Sequence, residues 1–149
     1  MKRTRFDHWP CPIARATDLI GDWWTPLVMR ELFFGHRRFD VIQKQLGIPR
    51  AVLSARLDRL VAEEMVTKVE YESRPPRYEY RLTDKGREFW PVLVAMWRWS
   101  ADWLFGDEGP AVVLEDRETG RVILPVVVDE ETGAPIDVRT VRVGRPPRP

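Results

Sequence analysis

The stretch Phe39–Leu82 constrains the fold of this chain more than any other part of its sequence. Its first half contains two runs of apolar residues at the spacing of an amphipathic helix, which predicts two helices. The short first run is formed by Phe39, Ile42 and Leu46, and the longer second run by Leu53, Leu57, Leu60 and Val61. The break Gly47-Ile48-Pro49 separates the two runs. This half therefore predicts a helix, a tight turn and a second helix.

After Met65-Val66 the apolar spacing changes from helical to alternating, which predicts two β-strands. The alternating residues are Val69 and Tyr71 in the first strand, and Tyr78, Tyr80 and Leu82 in the second. The tip between them is Ser73-Arg74-Pro75-Pro76-Arg77. Helix, turn, helix and basic hairpin together predict a winged helix-turn-helix. That architecture places one helix in the DNA major groove and the hairpin on the neighbouring backbone or minor groove.

The composition favours one soluble domain of ordinary size with an appendage, because 44% of the 149 residues are hydrophobic and 32% are charged. No apolar run is long enough to span a bilayer, and the basic N-terminus lacks the apolar segment of a secretory signal. The single cysteine excludes an internal disulfide framework and suggests a reducing compartment. We therefore expect a cytoplasmic protein without a membrane partner.

The motifs of common enzymes are missing from the sequence. It contains no phosphate-binding loop, no GxSxG elbow and no HExxH pair. His8 and His36 fall in an arm and a loop, and two histidines with one cysteine cannot build a closed zinc site of nitrogen and sulfur ligands. We expect no catalytic residues, no metal and no cofactor.

The charge is distributed unevenly, although the formal net charge is only +1. The segment from residue 106 to the end holds 6 Lys and Arg against 9 Asp and Glu, which leaves 18 against 14 for the first 105 residues. A basic front is therefore joined to an acidic tail. This asymmetry permits a local basic surface for nucleic acid, although arginine-rich surfaces without a partner are also common.

Four separated blocks resemble the HxlR-type regulators, which are relatives of the MarR group. The blocks are CPIARATDLIGDWWTPLVMRELFFGHRRF (residues 11–39), LGIPRAVLSARLDRLVAEEMV (46–66), the hairpin, and YRLTDKGREFWPVL (80–93). The resemblance covers roughly residues 9 to 104 and implies a homodimeric winged helix-turn-helix bound to a palindromic or repeated operator in double-stranded DNA. Pro49 departs from the Ser or Thr that often precedes the recognition helix in this family, and the tail after Phe105 is longer than in the minimal members.

The second helix of the pair offers a DNA-facing side of small and basic residues. Arg50 and Ser54 are predicted to contact base edges, Ala51 lets the backbone enter the groove, and Arg56 and Arg59 are predicted to contact phosphates on the flanks. A solvated helix face with chance arginines is the alternative.

Five further basic residues are predicted to contact the DNA backbone. Arg37, Arg38 and Lys44 accompany the helix before the turn, where a helix-turn-helix crosses the backbone, although Arg38 could instead pair with Asp40 or Asp22. Arg74 and Arg77 flank the stiff proline tip, which suits insertion near a minor groove. An ordinary surface hairpin is the alternative for the last two.

The last helix is predicted to run to Phe105 after an interruption at Pro91, and it is apolar on nearly all sides. A helix of this kind needs cover on more than one side, which a partner chain or residues 106–149 would provide. The resemblance implies that the first and last helices form the dimer interface. The expected interface residues are Ile13, Ile20, Leu93, Trp97 and Trp103.

The tail repeats Asp-x-Glu-Thr-Gly at residues 116–120 and 129–133, between runs rich in valine. Each copy predicts a hairpin turn, and the whole predicts a three-stranded antiparallel β meander. Polar turn chemistry explains the acidic residues better than a cation site does, since their spacing fits no calcium loop. The fold class is thus α+β, mainly helical with a two-stranded wing. The expected segments are an arm (1–10), a DNA-binding and dimerisation domain (11–105), a β extension (106–143) and a disordered tail (144–149).

Cys11 stands directly before the first helix, where the helix dipole and free N–H groups would favour its thiolate. Some HxlR-type proteins use a cysteine at this Cys-Pro position to sense oxidants or electrophiles. A small buried hydrophobe without sensing function is the alternative. The sequence as a whole predicts a dimeric, sequence-specific transcriptional regulator, by default a repressor, with Cys11 or a small-molecule effector as its input. A winged helix used only for protein–protein contact is the competing class.

Overall fold

A computed structural model describes residues 5–145 of the chain. The described residues form two compact units, residues 5–90 and residues 91–145. In chain order the elements are α1 (Pro12–Ile20), α2 (Thr25–Phe33), α3 (Phe39–Leu46), α4 (Arg50–Ala62), β1 (Val66–Ser73), β2 (Pro76–Leu82), α5 (Asp84–Arg87) and α6 (Trp90–Trp103), followed by a 3₁₀ turn, Gly106–Glu108. The helix pair and the hairpin predicted for Phe39–Leu82 are confirmed as α3, α4, β1 and β2.

The core of the first unit lies between α2, α3, α4 and the inner side of the hairpin. Leu53, Leu57 and Leu60 are fully buried, and their spacing puts one side of α4 into this core. Truncating one such side chain to alanine costs about 2–5 kcal/mol. The other buried apolar residues are Val28, Met29, Leu32, Ile42, Ile48, Met65, Val66 and Tyr80.

The turn between α3 and α4 is made by Gly47, whose φ of 61° lies in the left-handed region that glycine adopts without strain. Its amide donates to the carbonyl of Gln43 at 2.9 Å and so closes α3. Pro49 precedes α4 in an extended conformation and supplies no side-chain cap. The two helices are therefore joined by a turn too short to let either move far independently.

The start of α2 is stabilised by a residue that lies before the helix. Thr25 is the first helical residue, and Asp22 provides the cap. The Asp22 carboxylate accepts hydrogen bonds from the N–H groups of Trp24 (2.9 Å) and Thr25 (3.0 Å). A carboxylate at this end also suits the positive end of the helix dipole.

Strands β1 and β2 form the wing, an antiparallel hairpin with register Val66↔Leu82 at its base and Ser73↔Pro76 at its tip. The register shifts between Glu70 and Glu72. The wing is fixed to the loop before α3, because the Tyr80 amide donates to the Arg37 carbonyl at 2.7 Å. The hairpin is thereby held beside the helix pair rather than projecting freely.

A short helix, α5, follows the wing and is capped by Thr83, since Thr83 Oγ1 accepts the Gly86 amide at 3.0 Å. Gly86 lies so close to the wing that a Cβ atom there would stand 2.0 Å from the Met65 carbonyl oxygen. The interruption predicted near Pro91 is also present. Pro91 occupies the first turn of α6, where its missing N–H has no intrahelical acceptor.

In the second unit, α6 ends at Trp103 rather than Phe105, and none of its 14 residues is buried. The predicted three-stranded meander is not clearly formed: residues 106–145 contain two hairpin turns with isolated antiparallel bridges at Glu115↔Val122 and Val128↔Pro135, and no regular strand. The turns themselves follow the repeat, because Asp116 and Asp129 each accept from the Thr three residues later. These bonds lower the pKa of both carboxyl groups below the usual value.

Of the expected arm and tail, residues 1–4 and 146–149 lie outside the described part.

Candidate nucleic-acid interface

One side of α4 is exposed along its length and carries the residues predicted to enter the groove. Arg50, Ala51, Ser54 and Ala55 are all exposed, whereas the leucines on the other side are buried. The small side chains leave the backbone accessible, and Arg50 stands in the first turn, where its guanidinium projects from the end of the helix that meets bases in a helix-turn-helix.

A cleft of about 430 Å³ lies between the start of α4, the start of α3 and the wing. Three cations on its walls each lie over an aromatic ring. The guanidinium of Arg50 is 5.0 Å from the ring centre of Phe39, that of Arg38 is 5.8 Å from Tyr71, and the ammonium of Lys68 is 4.5 Å from Tyr78. Each pair fixes a positive charge beside the exposed side of α4, which makes this cleft attractive to a phosphate backbone.

Lys68, Tyr71 and Tyr78 were not among the residues that the sequence predicted to contact DNA. Strict alternation along β1 would place Lys68 and Tyr71 on opposite faces of the wing. The register shift between Glu70 and Glu72 adds one residue to this strand, so that Tyr71 lines the same cleft as Lys68. The alternating pattern alone gave no sign of this shift.

The basic residues predicted around α3 are on the surface. Arg37 and Lys44 are exposed, Lys44 in the last turn of α3. Arg38 pairs with Asp40 at 3.2 Å, the alternative that the sequence left open, but both side chains are solvent-exposed. A pair of this kind contributes at most about 1 kcal/mol, so it leaves Arg38 available to a phosphate.

At the wing tip Arg74 is exposed, and Arg77 pairs across the hairpin with Glu72 at 3.3 Å. Both members of that pair are about half exposed. The tip therefore leaves Arg74 exposed and holds Arg77 in a cross-strand ion pair.

Arg56 and Arg59 do not lie where the sequence-based prediction put them. Arg59 is only 19% exposed, and it donates to the Asp18 carbonyl at 2.7 Å and to its carboxylate at 3.1 Å. Arg56 is 25% exposed, and its Nε lies 3.1 Å from the Asp22 carboxylate. Both side chains turn back toward α1 and the α1–α2 connection, so this geometry does not support the assignment to phosphate contacts.

Asp18 is buried within this group. Burial alone would raise its pKa, but the Phe6 amide and the charges of Arg5 and Arg59 outweigh that effect and hold the pKa below its usual value. The carboxylate is therefore charged at neutral pH and is satisfied by several donors.

Cys11, the candidate sensor, and His36 have different surroundings. Cys11 is exposed and precedes the first residue of α1. His36 is engaged instead with a buried acid: its Nδ1 lies 2.6 Å from Glu31, whose other oxygen accepts from Arg30. His36, Glu31 and Arg30 thus form a cluster of polar contacts beside the loop that leads to Arg37. Within residues 5–145, no helix is long and apolar enough to cross a membrane.

A helix-turn-helix with an exposed basic recognition helix, a wing fixed beside it and a cationic cleft between them defines a DNA-binding winged helix-turn-helix protein. The sequence model of the HxlR-like helix-turn-helix family matches residues 19–108. The chain belongs to this family of transcriptional regulators, as the resemblance implied, and it is not an enzyme.

Known proteins are similar over most of the chain. The HTH-type transcriptional regulator Rv3095 of Mycobacterium tuberculosis is 40% identical over 129 residues, which span 87% of this chain and 82% of that protein. The crystal structure of PA1607, a candidate transcription factor, superposes with a TM-score of 0.87 at 38% identity and covers 96% of this chain and 100% of that one. The reduced form of the redox regulator HypR has a TM-score of 0.57 at 26% identity and covers 62% of this chain and 92% of that one.

Proposed function

We propose that this regulator binds a specific operator as a homodimer and represses transcription by occluding a promoter. The exposed side of α4 carries this proposal: Arg50 and Ser54 face solvent over a backbone lined by Ala51 and Ala55. Arginine in this position is suited to the O6 and N7 atoms of guanine, and a serine hydroxyl to either a base edge or a phosphate. Arg37, Arg38, Lys44 and Lys68 would hold the backbone on either side.

The wing is proposed to contact DNA beyond the site of α4. Arg74 at the tip is placed to approach a minor groove, and Arg77 would exchange its exposed pair with Glu72 for a phosphate. This exchange costs little free energy, because an exposed ion pair contributes little to stability.

The homodimer is proposed to form through α6 and α1. Val92, Met96, Trp99 and Trp103 recur at helical spacing and are all exposed, Trp99 to 59% and Trp103 to 74%. Ile13 of α1 is exposed as well. Of the other expected interface residues, Ile20, Leu93 and Trp97 are half-buried. A contiguous stripe of this kind on a soluble protein is typical of an interface, and its tryptophans would be the main contributors to affinity.

A response to oxidants or electrophiles through Cys11 is proposed as the input. Cys11 is exposed in front of α1, and the chain is similar to a protein described as a redox regulator. A test compares wild type with Cys11→Ser for release of operator DNA after treatment with diamide. We expect the wild type to release DNA and the serine variant to retain it, whereas equal behaviour of the two would exclude this input.

The function as a whole is tested by titrating the operator region with protein over a salt series. Binding should weaken steeply as salt rises, through release of counterions from the DNA. Arg50→Ala should lose about 1–3 kcal/mol and relax the base preference, while Lys44→Ala should weaken all DNA sequences alike and lower the salt slope by about one. Salt-independent binding, or equal binding of wild type and Arg50→Ala to every sequence, would support the protein–protein class instead.

A further inference from the structure

Asp18 of α1 joins three parts of the first unit that are far apart in sequence. Its side chain is 4% exposed. One carboxylate oxygen accepts from Arg5 Nε at 3.0 Å and from Arg59 Nη2 at 3.1 Å, and the other accepts from the Phe6 amide at 3.1 Å. The carbonyl of Asp18 accepts a second bond from Arg59, at 2.7 Å. The N-terminal arm, α1 and the recognition helix α4 thus meet at one residue.

A second contact lies one turn earlier on α4, between Arg56 and Asp22. Their closest atoms, Nε and Oδ1, are 3.1 Å apart, but the geometry is that of an ion pair, and the buried Nε makes no hydrogen bond among the described residues. Asp22 cannot shift easily, because the same carboxylate caps α2. The α1–α2 segment therefore holds α4 at two successive turns.

Both contacts are on the side of α4 opposite to the proposed DNA contacts. At 3.6 residues per turn, Arg56 lies about 160° and Arg59 about 140° around the helix from Ser54. The leucine contacts of α4 hold it against the core by packing, which is non-directional. Two hydrogen bonds from one guanidinium to a fixed carbonyl and carboxylate restrict it in direction as well.

We propose that Asp18 and Arg59 are positioning residues for DNA recognition: together with Arg5 of the N-terminal arm they fix the orientation of α4 and so the direction of Arg50 and Ser54. This inference rests on the proposed function. It assigns the arm a role behind the recognition helix instead of a role on the DNA. It also removes Arg59 from the phosphate contacts, because its charge is committed to Asp18.

The test compares Asp18→Asn, Arg59→Gln and the double variant with wild type, in titrations of operator and of unrelated DNA over a salt series. Each single variant should lose operator affinity on the order of tenfold and keep the wild-type salt slope, and the double variant should be no worse than the singles. Affinity for unrelated DNA should hardly change. Lys44→Gln is the control, and it should weaken both DNAs and lower the slope by about one.

Two milder variants keep the test valid if a variant at Asp18 or Arg59 does not fold. Arg5→Gln removes the contact between the half-exposed Arg5 and Asp18, together with the exposed Arg5–Asp7 pair, and Arg59→Lys keeps the charge on α4. Both should shift operator affinity in the same direction by a smaller factor, with unfolding midpoints followed in parallel.

Two results would overturn the positioning role proposed for Asp18 and Arg59. If Arg59→Gln lowers the salt slope while Asp18→Asn binds the operator like wild type, Arg59 is a phosphate contact. If the folded variants keep the wild-type preference for operator over unrelated DNA, the contacts among Asp18, Arg59 and Arg5 have only a structural role. A wild-type protein without any operator preference would refute the proposed function itself, which separates the two failures.

Discussion

The guanidinium of Arg50 lies 5.0 Å from the centre of the Phe39 ring. The two residues are the first residues of the two helices of the pair. Arg50 has a long side chain with considerable rotational freedom, and the ring gives it a preferred direction before DNA arrives. The short turn therefore does more than connect the helices, because it brings an aromatic support under the arginine proposed to contact bases.

Replacement of Phe39 by leucine should therefore weaken operator binding although the residue itself need not touch DNA. A cation–π contact at a partly exposed site is worth about 0.5–1 kcal/mol, which corresponds to about a two- to fivefold loss. Phe39→Tyr keeps the ring and should bind like wild type. Titration of the operator with both variants, after circular dichroism confirms that they are folded, provides the measurement; equal affinities for leucine and tyrosine would exclude the support role.

Trp99→Ala combined with Trp103→Ala should shift the protein from dimer to monomer, because these side chains would carry much of the apolar area of the proposed interface. Sedimentation velocity over a concentration series measures the change. Trp23→Ala is a matched control, since Trp23 is also an exposed tryptophan but lies in the α1–α2 connection. A double variant that remains dimeric would place the interface elsewhere.

Gly86→Ala should destabilise the first unit by about 1–3 kcal/mol, because the added Cβ would stand 2.0 Å from the Met65 carbonyl oxygen and force α5 away from the wing. Gly144→Ala adds the same atom where nothing lies within 4 Å, and it should leave the unfolding midpoint unchanged. Urea unfolding of the two variants measures the difference. Equal midpoints would show that α5 moves aside without cost.

Asp18 should make the stability of the first unit depend on acid. Its pKa is lowered in the folded protein from the ordinary value of 3.8, so its contribution is fully present above that value and is lost as the pH falls through the folded pKa. Asp18→Asn cannot titrate. Urea midpoints of wild type and variant should therefore differ at pH 7 and converge toward pH 3, whereas a constant difference would mean that the carboxylate charge is irrelevant.

The sequence was informative where structure is decided locally. The apolar spacing of Leu53, Leu57 and Leu60 fixes the buried side of α4, and with it the exposure of Arg50 and Ser54 on the other side. The proline tip and the alternating tyrosines likewise predicted the wing. These elements depend on periodicities of a few residues, which a single sequence displays directly.

The sequence did not reveal the contacts between distant residues. Arg59 appeared to be a flank contact because its partner Asp18 precedes it by 41 residues and no local pattern links them. Tyr71 changed face through an irregularity in the strand register. In the tail the Asp-Thr turns formed as predicted, but each is flanked by very few backbone hydrogen bonds, and the valines that suggested strands remain largely exposed. Propensity alone did not extend those turns into a sheet.

Footprinting the protein on the DNA upstream of its own gene tests the central claim most directly, since it examines specific binding and dimerisation together. The account predicts two protected half-sites separated by about one helical turn of DNA, about 10 base pairs, or by a multiple of it. Protection should disappear with Arg50→Ala at protein concentrations that still protect with wild type. Uniform protection without a boundary, or a single half-site unaffected by Arg50→Ala, would contradict a dimer that recognises bases through α4.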